Sequence, residues 1–88
     1  MRKSAEWMSI ADERILEYLN EHESGTPTGM SNDKYVRFSR SHIHQRCQKL
    51  ERYGLITFLG NGVYVLSDRG EQYLNRELDA EKLHPEGD

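Results

Sequence analysis

Asn61-Gly62 lies between two short runs of strand character, Leu55-Ile56-Thr57-Phe58-Leu59 before it and Val63-Tyr64-Val65-Leu66 after it. β-Branched and aromatic residues favour a pleated, half-buried backbone. Asn-Gly supplies the positive φ values that a tight hairpin turn requires, so residues 55–66 are read as one two-stranded hairpin. With a simple two-residue turn, Ile56, Phe58 and Val65 share one face, and Leu55, Leu59, Tyr64 and Leu66 share the other. Both faces are apolar. The expectation is a hairpin covered on both sides, once by its own body and once by a partner subunit.

The rest of the chain reads as helix. Ser9 and Asp12 have the spacing of a capping box, and Asp12 and Glu13 suit a helix N-terminus. Ala11, Ile15 and Leu19 then recur at i, i+4 and i+8, which predicts a first helix over residues 10–22. Ser24-Gly25 breaks it. Thr26 is a cap followed by proline at the first helical position, so a second helix runs from 27 to about 35, against the poor propensity of Gly29, Asn32 and Asp33. Residues 36–38 form the turn that follows. Ser39 caps a third helix, 39–53, whose buried face is Ile43, Cys47 and Leu50. Gly54 ends it, with Leu55 folding back in a Schellman-type cap. Ser67 caps a last helix with Tyr73, Leu74 and Leu78 on its apolar side. Residues 1–79 form a single domain, and the polar segment 80–88 is expected to be a disordered tail.

The chain has 88 residues and only 35% are hydrophobic, so its core is small. A domain of this size buries roughly 60% of its unfolded surface and gains from a partner chain. A homodimer through the N- and C-terminal helices is the expected assembly, with Trp7 and Met8 either stapled to the core or part of a seam with residues 72–78. No apolar run approaches the ~18 residues of a membrane helix, and no signal peptide is visible. Cys47 is the single cysteine. An internal disulfide is therefore excluded, which fits a reducing cytoplasm.

Charge is unevenly distributed. Residues 34–66 carry Lys34, Arg37, Arg40, Arg46, Lys49 and Arg52 against Glu51 alone, a net of +5, while the whole chain stands at −3. A basic centre between acidic flanks is the footprint of a surface that binds an anion. A merely solvated helix face is the alternative.

The order helix, helix, helix, hairpin, helix is a winged-helix plan: a mainly α fold with a small β-hairpin. Two stretches carry a closer likeness. Ser39-Arg40-Ser41-His42-Ile43 and Leu50-Glu51-Arg52-Tyr53-Gly54-Leu55-Ile56 resemble the third helix of winged helix-turn-helix transcriptional regulators and its exit. Gly60-Asn61-Gly62-Val63-Tyr64-Val65-Leu66-Ser67-Asp68-Arg69-Gly70-Glu71-Gln72-Tyr73-Leu74 resembles their wing and closing helix. Over about residues 10–79 the chain is most similar to the small haloarchaeal regulators called phage phi-H repressor-like. That resemblance implies a sequence-specific, often dimeric repressor of transcription that places its third helix in the major groove of double-stranded DNA. Arginine exceeds lysine eight to four, which is compatible with a salt-loving host.

With Ile43 facing the core and about 100° per residue, Ser41, Gln45, Gln48 and Arg52 form one stripe on the opposite side of the third helix. His44 and Lys49 flank it, and Glu51 points nearer the core. Glutamine can contact adenine and arginine can contact guanine in the major groove. Ser41, His44, Gln45 and Gln48 are the candidates for base contact. Arg37, Arg40, His42, Lys49 and Arg52 are the candidates for phosphate contact, joined by Asn61 at the wing tip. No lysine or arginine lies between Tyr53 and Asp68, so the wing has only Asn61 and backbone amides to offer.

His42, His44 and Cys47 do not complete a metal site, because Cys47 lies on the core face and no fourth ligand is available. His22 and His84 are read as surface residues. No phosphate-binding loop, acid–base carboxylate pair or activated nucleophile is present, which argues against an enzyme and against a cofactor. The competing function is a winged-helix protein–protein interaction module within a larger assembly, favoured by the uncharged wing and the negative total charge.

Overall fold

A computed structural model describes residues 7–80 and Leu83. Its elements are α1 (Ile10–His22), α2 (Pro27–Ser31), α3 (Arg40–Arg52), β1 (Ile56–Gly60), β2 (Val63–Leu66) and α4 (Asp68–Leu74). Three helices, a two-stranded antiparallel sheet and a closing helix make a winged helix-turn-helix fold.

Local chemistry explains the helix ends. The Asp12 carboxylate accepts from the Ser9 backbone N–H at 2.7 Å and from the Ser9 hydroxyl at 3.3 Å, which fixes the start of α1. Thr26, Ser39 and Ser67 each use a side-chain oxygen to accept an N–H of the helix that follows. At the end of α3, Gly54 adopts φ 80°. This lets Leu55 N–H reach the Leu50 carbonyl at 3.1 Å and Gly54 N–H reach that of Glu51 at 3.0 Å, a Schellman motif.

Helix α2 is shorter than the expected span to residue 35. It stops at Ser31 because the Asp33 carboxylate accepts from the N–H of Tyr35 at 2.7 Å and of Val36 at 3.2 Å, which turns the chain instead of extending the helix. The last helix also stops early, at Leu74. Arg76 takes φ 66° and Glu77 N–H returns to the Gln72 carbonyl, so Leu78 packs on the core from beyond the helix. The packing continues past residue 79: Ala80 is fully buried and Leu83 is half-buried against the core. The remainder of segment 80–88 lies outside the described residues.

The hairpin departs from the simple two-residue register. Ile56 pairs with Leu66, Thr57 with Val65, Phe58 with Tyr64 and Gly60 with Val63, and the shift falls at Leu59. One extra residue on β1 moves β2 by one position and reverses which of its side chains share a face with β1. Ile56 and Phe58 therefore stand beside Tyr64 and Leu66, not beside Val65. The tip is bulged, with Gly60, Asn61 and Gly62 all at positive φ. On its far side, β2 is held to the loop after α1. Gly25 N–H donates to the Tyr64 carbonyl at 3.0 Å and Tyr64 N–H donates to the Gly25 carbonyl at 2.8 Å.

One core joins these elements. Ile15, Leu16 and Leu19 of α1, Met30 of α2, and Ile43, Cys47 and Leu50 of α3 meet Leu55, Ile56 and Tyr64 of the hairpin and Tyr73 of α4. The base of the hairpin is closed by a compact joint. Ser67 Oγ donates to the Gly54 carbonyl at 2.5 Å, Ser67 N–H donates to the Leu55 carbonyl at 3.1 Å, and Gly70 N–H donates to Ser67 Oγ at 3.1 Å.

Candidate nucleic-acid interface

Helix α3 buries Ile43, Cys47 and Leu50 completely and leaves the other side in solvent. Ser41, His44, Gln45 and Gln48 are all exposed, as are Arg40, His42 and Arg52. Ser39 holds the start of the helix by accepting the His42 N–H at 3.2 Å. Just before it, Arg37 is exposed and occupies the left-handed region at φ 60°. The His42 ring lies against Phe38, with centroids 5.3 Å apart, so its aromatic face is already engaged. Gln45, Gln48, Lys49 and Arg52 line one shallow surface depression. Asn61 is exposed at the wing tip, apart from these residues.

Glu51 also lines that depression and is exposed. A place nearer the core side than the stripe does not bury it. At about 80° from Ile43 around the helix, it sits on the seam between α3 and β1, where it also borders a groove with Gly54, Ile56, Thr57 and Phe58. The surface thus carries one carboxylate at its wing-side margin.

The opposite margin of α3 holds a feature that the pattern of the sequence did not suggest. Arg46 Nε donates to Asp12 Oδ1 at 2.8 Å, and Arg46 Nη2 donates to Asp12 Oδ2 at 2.5 Å and to the Trp7 carbonyl at 2.8 Å. Asp12 is fully buried, and the Arg46 side chain is 18% exposed. The bond to Asp12 raises the Arg46 pKa, opposed by its partial burial and helped by the charge of Asp12. One of the six cations of segment 34–66 is thereby committed to the interior. The Trp7 ring stacks on Tyr53 with centroids 3.9 Å apart and planes at 14°. Lys49 Nζ lies 5.7 Å from the Trp7 centroid, so this phosphate candidate is half-buried and already faces a π-surface. The signal available beforehand was Asp12 itself, a carboxylate on the face of α1 that also carries Ala11, Ile15 and Leu16. A charge in that position requires a partner.

Among the described residues, no group of three histidine, cysteine, aspartate or glutamate side chains converges to hold a metal ion. Cys47 is buried, and desolvation followed by the charge of Asp12 pushes its thiol up to about 12. Such a thiol is a packing group, not a nucleophile. His22 is exposed and packs against Tyr18. His84 lies outside the described residues. No described helix is long and apolar enough to cross a membrane.

The family model described as winged helix-turn-helix phage repressor matches residues 1–86. The chain belongs to this family. Within reach of this phage repressor family, the repressor protein of Halobacterium phage phiH is 30% identical over 86 residues, covering 94% of this chain and 97% of that protein. The crystal structure of the PhiH1 repressor-like protein from Haloarcula marismortui is 42% identical, covers 97% of both chains and superposes with a TM-score of 0.92. Membership of a phage repressor family points to a DNA-binding regulator and away from an enzyme.

Proposed function

We propose that this chain is a DNA-binding transcriptional repressor that reads the major groove of double-stranded DNA with α3. The observation that carries the reading is the exposed stripe Ser41, Gln45, Gln48 and Arg52 on a helix whose other side is anchored in the core. A rigid helix with an outward row of hydrogen-bonding side chains is what direct readout requires. Ser41, His44, Gln45 and Gln48 contact base edges. Arg37, Arg40, His42 and Arg52 contact phosphates, with Lys49 released from Trp7 toward the backbone and Asn61 reaching it from the wing. The protein acts in the cytoplasm as a homodimer through its terminal helices, each α3 taking one half-site.

The test is selection from random duplexes by the purified protein at two salt concentrations. A palindromic consensus with half-sites about one helical turn apart is expected, together with an affinity that falls linearly with the logarithm of salt. No enrichment over background would refute the reading. A protein-interaction module is then the competitor, and one observation favours it: Phe58 is 48% and Leu59 62% exposed on an uncharged wing. In that event Arg40→Ala combined with Arg52→Ala leaves partner binding unchanged.

A further inference from the structure

We infer that Arg46 is a positioning residue for DNA reading: with Asp12 and Trp7 it clamps α3 in the one rotation about its axis that presents the reading stripe squarely. The inference rests on the proposal that α3 enters the groove. The apolar anchors of α3 are non-directional. Ile43, Cys47 and Leu50 hold the helix against the core, but hydrophobic contact alone leaves rotation and sliding weakly specified. The clamp adds direction. Arg46 is held by two bonds to Asp12 and one to the Trp7 carbonyl. Asp12 is itself fixed by the Ser9 N–H at the start of α1. Seven residues further along α3, Trp7 returns to stack on Tyr53. The N-terminal segment therefore grips α3 at two stations about 10 Å apart along its axis, at a rise of about 1.5 Å per residue.

The reading stripe lies about 100–160° around the helix from Arg46, judged at about 100° per residue. A side chain tip about 6 Å from the helix axis moves about 2 Å for each 20° of rotation. A displacement of that size breaks a bidentate contact to a base edge, whose heavy-atom distances must stay near 3 Å. Phosphate contacts from long arginine side chains tolerate it. Loss of the clamp therefore degrades discrimination between sequences more than it degrades electrostatic attraction.

Two variants separate positioning from stability. Arg46→Lys keeps the charge and loses the fork. Asp12→Leu with Arg46→Met replaces the buried pair by apolar side chains, an exchange that is often neutral or stabilising in a protein interior. Each is compared with wild type by circular dichroism, by urea unfolding, and by binding to the duplex enriched in the selection and to a scrambled duplex of equal length. Wild type discriminates between the two duplexes. Both variants are expected to unfold cooperatively and to lose about tenfold in that discrimination, one good bidentate base contact, with the salt slope of binding unchanged. Discrimination equal to wild type in the folded double variant overturns the inference while leaving the proposed function intact. Absence of any enriched duplex with wild type overturns both. Should the double variant fail to fold, Arg46→Lys decides by the same ratio.

Discussion

Gly70→Ala sets helix propensity against packing. Gly70 is buried inside α4, where alanine is the better helix former by about 1 kcal/mol. On propensity alone the substitution stabilises. The structure predicts the reverse. A Cβ at this position would lie 2.5 Å from Leu66 Cδ1 and would overlap the carbonyl oxygen of Leu55. Leu66 can change rotamer, but the carbonyl cannot retreat, because it already accepts the Ser67 N–H at the base of the hairpin. Relief requires α4 to move about 1 Å away from the hairpin, which opens the core around Tyr73. Overpacking of this kind costs about 1–3 kcal/mol. A clash with backbone belongs at the upper end, so the net loss is about 2 kcal/mol once the propensity gain is subtracted. In a domain of this size that lowers the melting temperature by roughly 8–16 °C. Urea unfolding followed by circular dichroism, with thermal melts beside it, reads the effect. A variant as stable as wild type would show that α4 and the hairpin do not approach as closely as described.

Cys47 should resist thiol reagents in the native state and react only on unfolding, which alkylation rates across a urea titration will show. Its folded pKa of about 12 stands above the ordinary 9.0, so the folded protein holds the thiol proton longer. The associated stability is complete below about pH 9 and is lost as pH rises from 9 toward 12. The Cys47→Ala variant should flatten that alkaline limb in urea midpoints measured against pH, and an unaltered limb would assign it to other groups. Arg40→Ala should weaken DNA binding evenly across sequences and reduce the salt slope by about 1, whereas Gln45→Ala should cost about 1–3 kcal/mol on the preferred duplex only. Competition titrations at several salt concentrations distinguish the two patterns. Trp7 is the single tryptophan and stacks on Tyr53 at the end of α3, so Tyr53→Ala should shift its emission to the red, and an unmoved spectrum would contradict the stacking.

Features written in local chemistry were legible before the structure. Helix α1 runs over residues 10–22 as its periodicity required, and the Ser39 cap and Gly54 stop bound α3 because caps act within a turn of the helix they close. The Asn-Gly turn was equally plain, yet the facing of the strands was not. The bulge at Leu59 is a choice of backbone register, and the pattern of residues 55–66 accommodates either register because nearly every position is apolar. The second helix was overdrawn at its end because Asp33 satisfies the backbone in a way that propensity does not describe. Non-local features were out of reach. Asp12 and Arg46 are 34 residues apart, and nothing in the sequence said which cation would answer a carboxylate on an apolar face. The exposure of Glu51 was out of reach for a related reason, since its place beside the wing depends on where β1 packs against α3.

The paired bonds between Gly25 and Tyr64 have a mechanical consequence. A hairpin attached only at its base is a hinge that can swing to follow whatever it meets. Here β2 is tethered on its outer edge to the loop that leaves α1, and its root is locked to α4 through Ser67. The wing is accordingly a strut braced at two points, and a force applied near its tip is carried into α1 and α4 before it can bend the hairpin. A surface built from α3 and such a strut has a fixed span.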